Sequence, residues 1–109
     1  MERINISLAD ARALAVRALL ANGCDQANAE AVADIMMVAE GDICESHGLF
    51  RLPGYVTSLR NGKVDGKAVP EASVIAPSVL RVDGKGGFAP LAIKTGMPRL
   101  IELARTQGM

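Results

Sequence analysis

The chain has 109 residues, half of them apolar and 22% charged, with no formal net charge at neutral pH. That composition excludes a disordered tail, and the balance of twelve basic against twelve acidic side chains excludes a global field aimed at nucleic acid or an anionic membrane. A mass of 11.4 kDa allows one domain at most, which if compact would expose roughly 5,800 Å² against roughly 16,500 Å² unfolded.

The first predicted element is a helix from Leu8 to Asn22. Ser7 is a suitable N-cap, Asp10 stands three residues on as in a capping box, and Gly23 is a natural stop. Leu8, Ala11, Leu14, Ala15, Ala18 and Leu19 recur at helical spacing and predict one apolar stripe, with Arg12 and Arg17 off it. A second helix is expected from Gln26 to Glu40, capped by Asp25 and ended by Gly41, with Ala29, Val32, Ile35 or Met36, and Ala39 facing inward. Eleven of the seventeen alanines lie between residues 9 and 39, so the two helices should approach closely as an antiparallel hairpin. Met36 and Met37 read as core filling.

Asp42 to Phe50 is too polar and interrupted for a core helix. A third helix should begin at Pro53, which tolerates the first helical position, and end at Asn61-Gly62, with Tyr55, Val56 and Leu59 on its apolar side. Lys63 to Pro70 reads as extended and turn-rich. Val74–Ala76 and Val79–Asp83 read as two short strands around Pro77, ended by Asp83-Gly84 and Gly86-Gly87. The last helix is expected from Pro90 to Thr106, interrupted by Gly96 and kinked at Pro98, with Gly108 as its cap.

Strand, glycine turn and helix make the first two parts of a β-α-β unit whose closing strand is not in this sequence. Two short strands make no independently stable sheet. Only Phe50, Tyr55 and Phe88 are aromatic, which leaves a thin core of Ala, Leu, Val, Ile and Met. The chain therefore reads as part of something larger. No apolar run is long enough to span a bilayer, and two cysteines without an export signal point to the reducing cytoplasm, with both thiols free.

The only histidine, His47, lies in Cys44-Glu45-Ser46-His47-Gly48. Arg51 follows four residues later and Tyr55 four after that, so on a helical backbone all three project to one side. An imidazole, a guanidinium and a phenol together suit a small carboxylic acid. Arg51 can hold the carboxylate by two parallel hydrogen bonds, and His47 can move a proton near neutral pH. Ser46 can orient the imidazole or be activated by it. The competing reading makes Ser46 a turn cap and His47 a solvated surface residue.

Two other patterns are weaker. Gly84, Gly86 and Ala89 loosely satisfy a G-x-G-x-x-G/A fingerprint, yet Pro90 removes a donor where a pyrophosphate wants one. The ribose-binding acid should end a second strand, whereas the nearest acid, Glu102, falls mid-helix, so a plain glycine turn is the default. Cys44-x-x-His47 could hint at a metal or a thiol nucleophile. A metal needs three or four ligands, the other cysteine (Cys24) sits in a distant turn, and nothing marks Cys44 as ionised, so no metal is expected.

The segment Ser46-His47-Gly48-Leu49-Phe50-Arg51-Leu52-Pro53-Gly54-Tyr55-Val56 resembles the second malate/L-lactate dehydrogenase family, NAD(P)-dependent enzymes unrelated to the Rossmann-fold lactate dehydrogenases. The likeness extends through Leu59–Lys63, Val82-Asp83-Gly84 and a final helix ending in Ala104-Arg105 and Gly108. Cys44 before the Ser-His-Gly, Gly62-Lys63-Val64, Gly87 to Ala92 and Gly96-Met97-Pro98 are most similar to the cyclic ketimine reductases, which reduce Δ1-piperideine-2-carboxylate and Δ1-pyrroline-2-carboxylate.

That resemblance implies Ser46 and His47 as catalytic members of a Ser-His-Asp relay, Arg51 as the substrate-carboxylate ligand, and Tyr55 in the pocket wall. The relay aspartate and most nicotinamide contacts would lie beyond Met109, the cofactor would be NADPH or NADH, and the full-length form a homodimer. The family's cofactor domain is not a Rossmann fold, which demotes the Gly84 turn further. Asp42-Ile43-Cys44-Glu45 replaces the arginine-glycine pair common ahead of Ser-His-Gly, a difference at the entry to the site.

The expected fold is mixed α/β: a helical region over residues 1–62 carrying the motif, then over 63–109 the start of a mixed-sheet cofactor domain, an incomplete part of a larger L-sulfolactate dehydrogenase-like fold. Two alternatives stand beside the imine reductase. One is a malate, lactate or sulfolactate dehydrogenase of the same family, and the other a freestanding, non-catalytic helical interaction module. The 109-residue chain by itself is expected to be inactive.

Overall fold

A computed structural model describes residues 5–43 and 48–108. Helix α1 (Leu8–Ala21) and helix α2 (Gln26–Gly41) form a hairpin. Both starts are capped by side chains that satisfy otherwise orphaned backbone donors. The Asp10 N–H donates to Ser7 Oγ at 3.1 Å, and the Asn28 N–H donates to Asp25 Oδ1 at 2.9 Å. Gly23, at φ +107°, supplies the left-handed residue that turns the chain between the helices.

The buried row of α1 is Ala11, Ala15, Val16 and Leu19, while Leu8 and Leu14, predicted to face inward, are exposed. Small alanines occupy the line of closest approach, and the two leucines fall to its flanks. On α2 the inward residues are Ala29, Val32, Ala33 and Met36, with Ile35 turned out. Outside the seam, Arg12 Nε donates to Asp34 Oδ1 at 2.7 Å, joining the start of α1 to the far half of α2. That pair raises the Arg12 pKa, by the hydrogen bond first and by charge attraction second.

A 3₁₀ turn (Leu49–Arg51) runs directly into helix α3 (Leu52–Arg60), so ordered structure starts before the predicted Pro53. Arg60 Nε donates to Asn22 Oδ1 at 2.8 Å and ties the end of α3 to the end of α1. The following loop crosses the interhelical turn: the Asp25 N–H donates to Gly66 O at 2.9 Å, and Asn28 Nδ2 donates to Ala68 O at 2.9 Å. Gly66 is required there, because a Cβ would lie 2.5 Å from Gly23 O and 2.9 Å from Cys24 Cα.

Strand β1 (Glu71–Ala76) begins earlier than predicted and pairs antiparallel with β2 (Val79–Asp83), Glu71 opposite Asp83 and Val74 opposite Leu80. Neither strand has a buried residue. Helix α4 (Ala89–Gln107) then runs through both Gly96 and Pro98, correcting the expected interruption. Proline removes one donor from the ladder without ending it, and Gly96 serves packing instead. A Cβ at Gly96 would lie 2.6 Å from Val82 Cγ2, so its absence lets α4 sit close on β2. Gly108, at φ +74°, ends the helix in the left-handed conformation.

The core gathers Ala15, Leu19, Ala29, Val32, Ala33 and Met36, closed by Cys24 and Phe88. Total exposed surface is 7261 Å², against the roughly 5,800 Å² of a compact domain of this mass. The radius of gyration is 15.8 Å, where about 13 Å is usual for this length. Large apolar side chains stay exposed along the chain, from Leu8 and Val38 to Ile75 and Ile101. Among the described residues no helix is long and apolar enough to cross a membrane.

Candidate functional site

Arg51 ends the 3₁₀ turn and Tyr55 stands one helical turn further on, in α3. Both line one cleft of about 550 Å³, together with Phe50, Gly54, Ser58, Val64 and Phe88. The i, i+4 spacing anticipated from the sequence thus puts guanidinium and phenol on one wall. Ser46, His47 and Cys44 lie outside the described residues.

The start of this wall is anchored from α2. Glu40 Oε1 accepts the Leu49 N–H at 2.7 Å, and the Arg51 N–H donates to Gly48 O at 3.0 Å. Gly48 is buried under the Glu40 side chain, which a Cβ would overlap. A side chain at this glycine would displace the Glu40 carboxylate, and Glu40 sets where the turn that ends at Arg51 begins. Sequence reading gave no role to Glu40, because nine residues separate it from its partner.

The opposite wall comes from much later in the chain. Phe88 meets the Tyr55 ring edge-to-face, with centroids 5.0 Å apart and planes at 87°. It is brought there by two interlocked loops. The Asp65 N–H donates to Gly86 O at 2.9 Å, and the Gly87 N–H donates to Gly84 O at 3.0 Å. A Cβ on Gly87 would lie 2.7 Å from Ala68 Cβ and 3.3 Å from Asp65 O. The glycine-rich turn is thus packed against the 65–68 loop.

The same packing answers whether this turn suits a dinucleotide phosphate. Its inner side is filled by Ala68 and Asp65, and Lys85 is held by Glu71 at 3.4 Å and Asp83 at 3.5 Å. Attraction to Glu71, then to Asp83, raises the Lys85 pKa. The Lys85 N–H bonded to Asp83 Oδ1 at 2.9 Å is the main cause that lowers the Asp83 pKa. These groups engage one another, and the packed side of the turn leaves no room for a phosphate there. Among the described residues no group of three or more His, Cys, Asp and Glu side chains could hold a metal.

Two apolar clefts lie away from Arg51. One, of about 380 Å³, runs between α4 and β2 beside Val82, Met97 and Leu100. The other, of about 480 Å³, runs between α2 and α4 beside Ile35, Ile93 and Ile101. Both are lined mainly by apolar side chains, with Asp34 and Lys94 also lining the second. The thiol of buried Cys24 is held protonated: burial, helped by nearby Asp25, pushes its pKa up to about 11.

Comparison with known proteins bears on this arrangement. Residues 6–109 match the family described as malate/L-lactate dehydrogenase. The chain is 46% identical over 108 residues to a Δ1-pyrroline-2-carboxylate reductase of Ancylobacter novellus, spanning 99% of this chain and 32% of that protein. It is 46% identical over 104 residues to an NADP(+) (2R)-3-sulfolactate dehydrogenase of Chromohalobacter salexigens, spanning 95% of this chain and 31% of that one. The crystal structure of a Δ1-piperideine-2-carboxylate reductase from Pseudomonas syringae pvar. tomato superposes with a TM-score of 0.91 at 35% identity, covering 96% of this chain and 32% of that one. The chain thus spans about a third of the length of the relatives it matches.

Proposed function

The chain belongs to the malate/L-lactate dehydrogenase family, and from that premise we propose that it forms the substrate-side part of a nicotinamide-dependent reductase of cyclic imino acids, Δ1-pyrroline-2-carboxylate and Δ1-piperideine-2-carboxylate. The observation that carries this reading is the cleft where Arg51 stands beside the Tyr55–Phe88 pair. A guanidinium binds a carboxylate with two parallel hydrogen bonds, and an aromatic surface receives the apolar ring attached to it. The identity to a pyrroline-2-carboxylate reductase supports the same substrate class.

In this reading Arg51 fixes the carboxylate and so orients the C=N bond. Ser46 and His47 act as the resemblance implies, His47 placing a proton on the ring nitrogen as C2 is reduced, with Ser46 orienting the imidazole. The nicotinamide, when bound, supplies the hydride. Residues 1–62, which carry Arg51 and Tyr55, are assigned to the substrate side, and 63–109 to the start of the cofactor domain, as the family resemblance implies. NADPH is the proposed reductant, in line with the NADP(+) in the name of the sulfolactate dehydrogenase relative. A cytoplasmic homodimer completes the proposal, supported by the family resemblance and by the apolar faces left exposed on α2 and α4.

A 2-hydroxy-acid dehydrogenase is the second reading, favoured by the same sulfolactate relative. Arg51 is the one charged side chain among the described residues lining the cleft, whereas oxaloacetate or sulfopyruvate brings two anionic groups. The extended surface of 7261 Å² counts against a freestanding helical module. Oxidation of NADPH and NADH by the full-length polypeptide, followed with both cyclic imines, pyruvate and oxaloacetate, decides between the enzymes. The imines should exceed the 2-oxo acids by at least about tenfold in kcat/KM. The reverse order would overturn the reading.

A further inference from the structure

We propose that Phe88 is a specificity-determining residue, its ring forming with Tyr55 the surface against which the flat body of a ring carboxylate packs. This inference rests on the cyclic-imine reading and locates its selectivity in one side chain. The chain has three aromatic residues, Phe50, Tyr55 and Phe88, and all three line the cleft that holds Arg51. Phe50 is 78% exposed, so its place in the cleft owes nothing to core building.

Phe88 is 8% exposed and pinned on several sides. Its ring meets Tyr55 edge-to-face, and its backbone follows Gly87, which abuts Ala68. Ala68 O in turn accepts from Asn28 Nδ2, and Asn28 is anchored on the Asp25 cap of α2. A rigid aromatic surface presented in this way rewards a ligand that is itself flat and apolar. An open-chain 2-oxo acid held at the same guanidinium presents little apolar area to Phe88, so loss of that ring should affect it weakly.

The test compares wild-type full-length polypeptide with Phe88→Leu, measuring kcat/KM for Δ1-pyrroline-2-carboxylate and for pyruvate. The expected result is a fall of roughly tenfold for the imine and less than about twofold for pyruvate, the scale set by apolar contacts in a substrate pocket. Equal losses on both substrates, or no loss on the imine, would overturn the proposal. Because Phe88 also closes the core, a second measurement needs no substitution: magnetisation transfer between the ring protons of pyrrole-2-carboxylate, a planar carboxylate without a reducible imine, and the Phe88 ring. Transfer supports the assignment, and a bound ligand without it refutes it. The two readings fail separately. Ligand contact at Phe88 without imine turnover removes the reductase reading, whereas imine turnover with an unchanged substrate ratio removes the role of Phe88.

Discussion

The helical hairpin and the sheet-bearing half of this chain bury their side chains very differently. In α1 and α2, Leu19, Val32 and Met36 are fully enclosed, surrounded by alanines that let the helices close on one another. In β1, β2 and α4 the only buried position is Gly96, and Ile75, Ile93, Met97 and Ile101 are exposed. The hairpin encloses a core although Leu14, Ile35 and Val38 stay exposed on its outside, while the sheet and α4 enclose almost nothing of their own. The Arg51 cleft stands beside the hairpin, and the later part of the chain contributes Val64 and the well-fixed Phe88 to it.

The contrast can be broken most directly by cutting side chains from each half. Leu19→Ala or Met36→Ala should each cost about 2–5 kcal/mol in chemical denaturation, the range for emptying a fully packed aliphatic site. Ile101→Ala on the exposed face of α4 should stay within about 0.5 kcal/mol. Similar losses at both places would erase the distinction.

Glycine substitutions sharpen it further. Gly66→Ala forces a Cβ to within 2.5 Å of Gly23 O, a backbone atom at the junction of the two halves, and should destabilise by about 1–3 kcal/mol. At Gly96 the helix gains about 1 kcal/mol from alanine, while a Cβ would meet Val82 Cγ2 at 2.6 Å. Val82 is branched at Cβ and cannot easily rotate away, so the net effect should be a smaller loss than at Gly66. A stabilised Gly96→Ala variant in thermal melting would show that α4 lifts freely from β2.

The pH responses should be smaller and opposite in direction. Cys24 keeps its proton up to about 11 in the folded chain. Its contribution to stability is therefore complete below the ordinary thiol range of about 8.5 and fades as pH rises through the folded value. Thiol-reagent kinetics at pH 8 should accordingly be slow until the chain unfolds. Asp83 is lowered, so its contribution is complete above the ordinary carboxylate range and is lost as pH falls through the folded value. The Lys85 amide resonance should report that transition below about pH 4, the usual carboxylate midpoint. A Lys85 amide titrating at the ordinary Asp midpoint would mean the Asp83 bond is not formed in solution.

Much of the hairpin was legible because its determinants are local. Ser7 and Asp25 announce the helix starts within three residues, and the alanine spacing announces the seam. Arg51 and Tyr55 were likewise found by their four-residue spacing, although Arg51 ends the 3₁₀ turn that leads into α3. What escaped detection depends on partners distant in sequence. Glu40 reaches across nine residues to the Leu49 amide, and Phe88 reaches Tyr55 through loops joined by Asp65 and Gly87. Gly96 was misread as an interruption because its reason is Val82 on another element, which no pattern within the helix can display.

The central claim is that Arg51 holds the substrate carboxylate at the aromatic cleft. Its most direct test is the kinetics of Arg51→Ala and Arg51→Lys in the full-length polypeptide, with thermal melts as a control, since Arg51 is exposed and its loss should leave stability unchanged. Losing a hydrogen-bonded charge pair of this kind is worth about 2–5 kcal/mol, so Arg51→Ala should lower kcat/KM for Δ1-pyrroline-2-carboxylate by at least about thirtyfold. Lysine, which lacks the bidentate fork, should restore only part of it. An Arg51→Ala enzyme that reduces the imine at the wild-type rate would contradict the account.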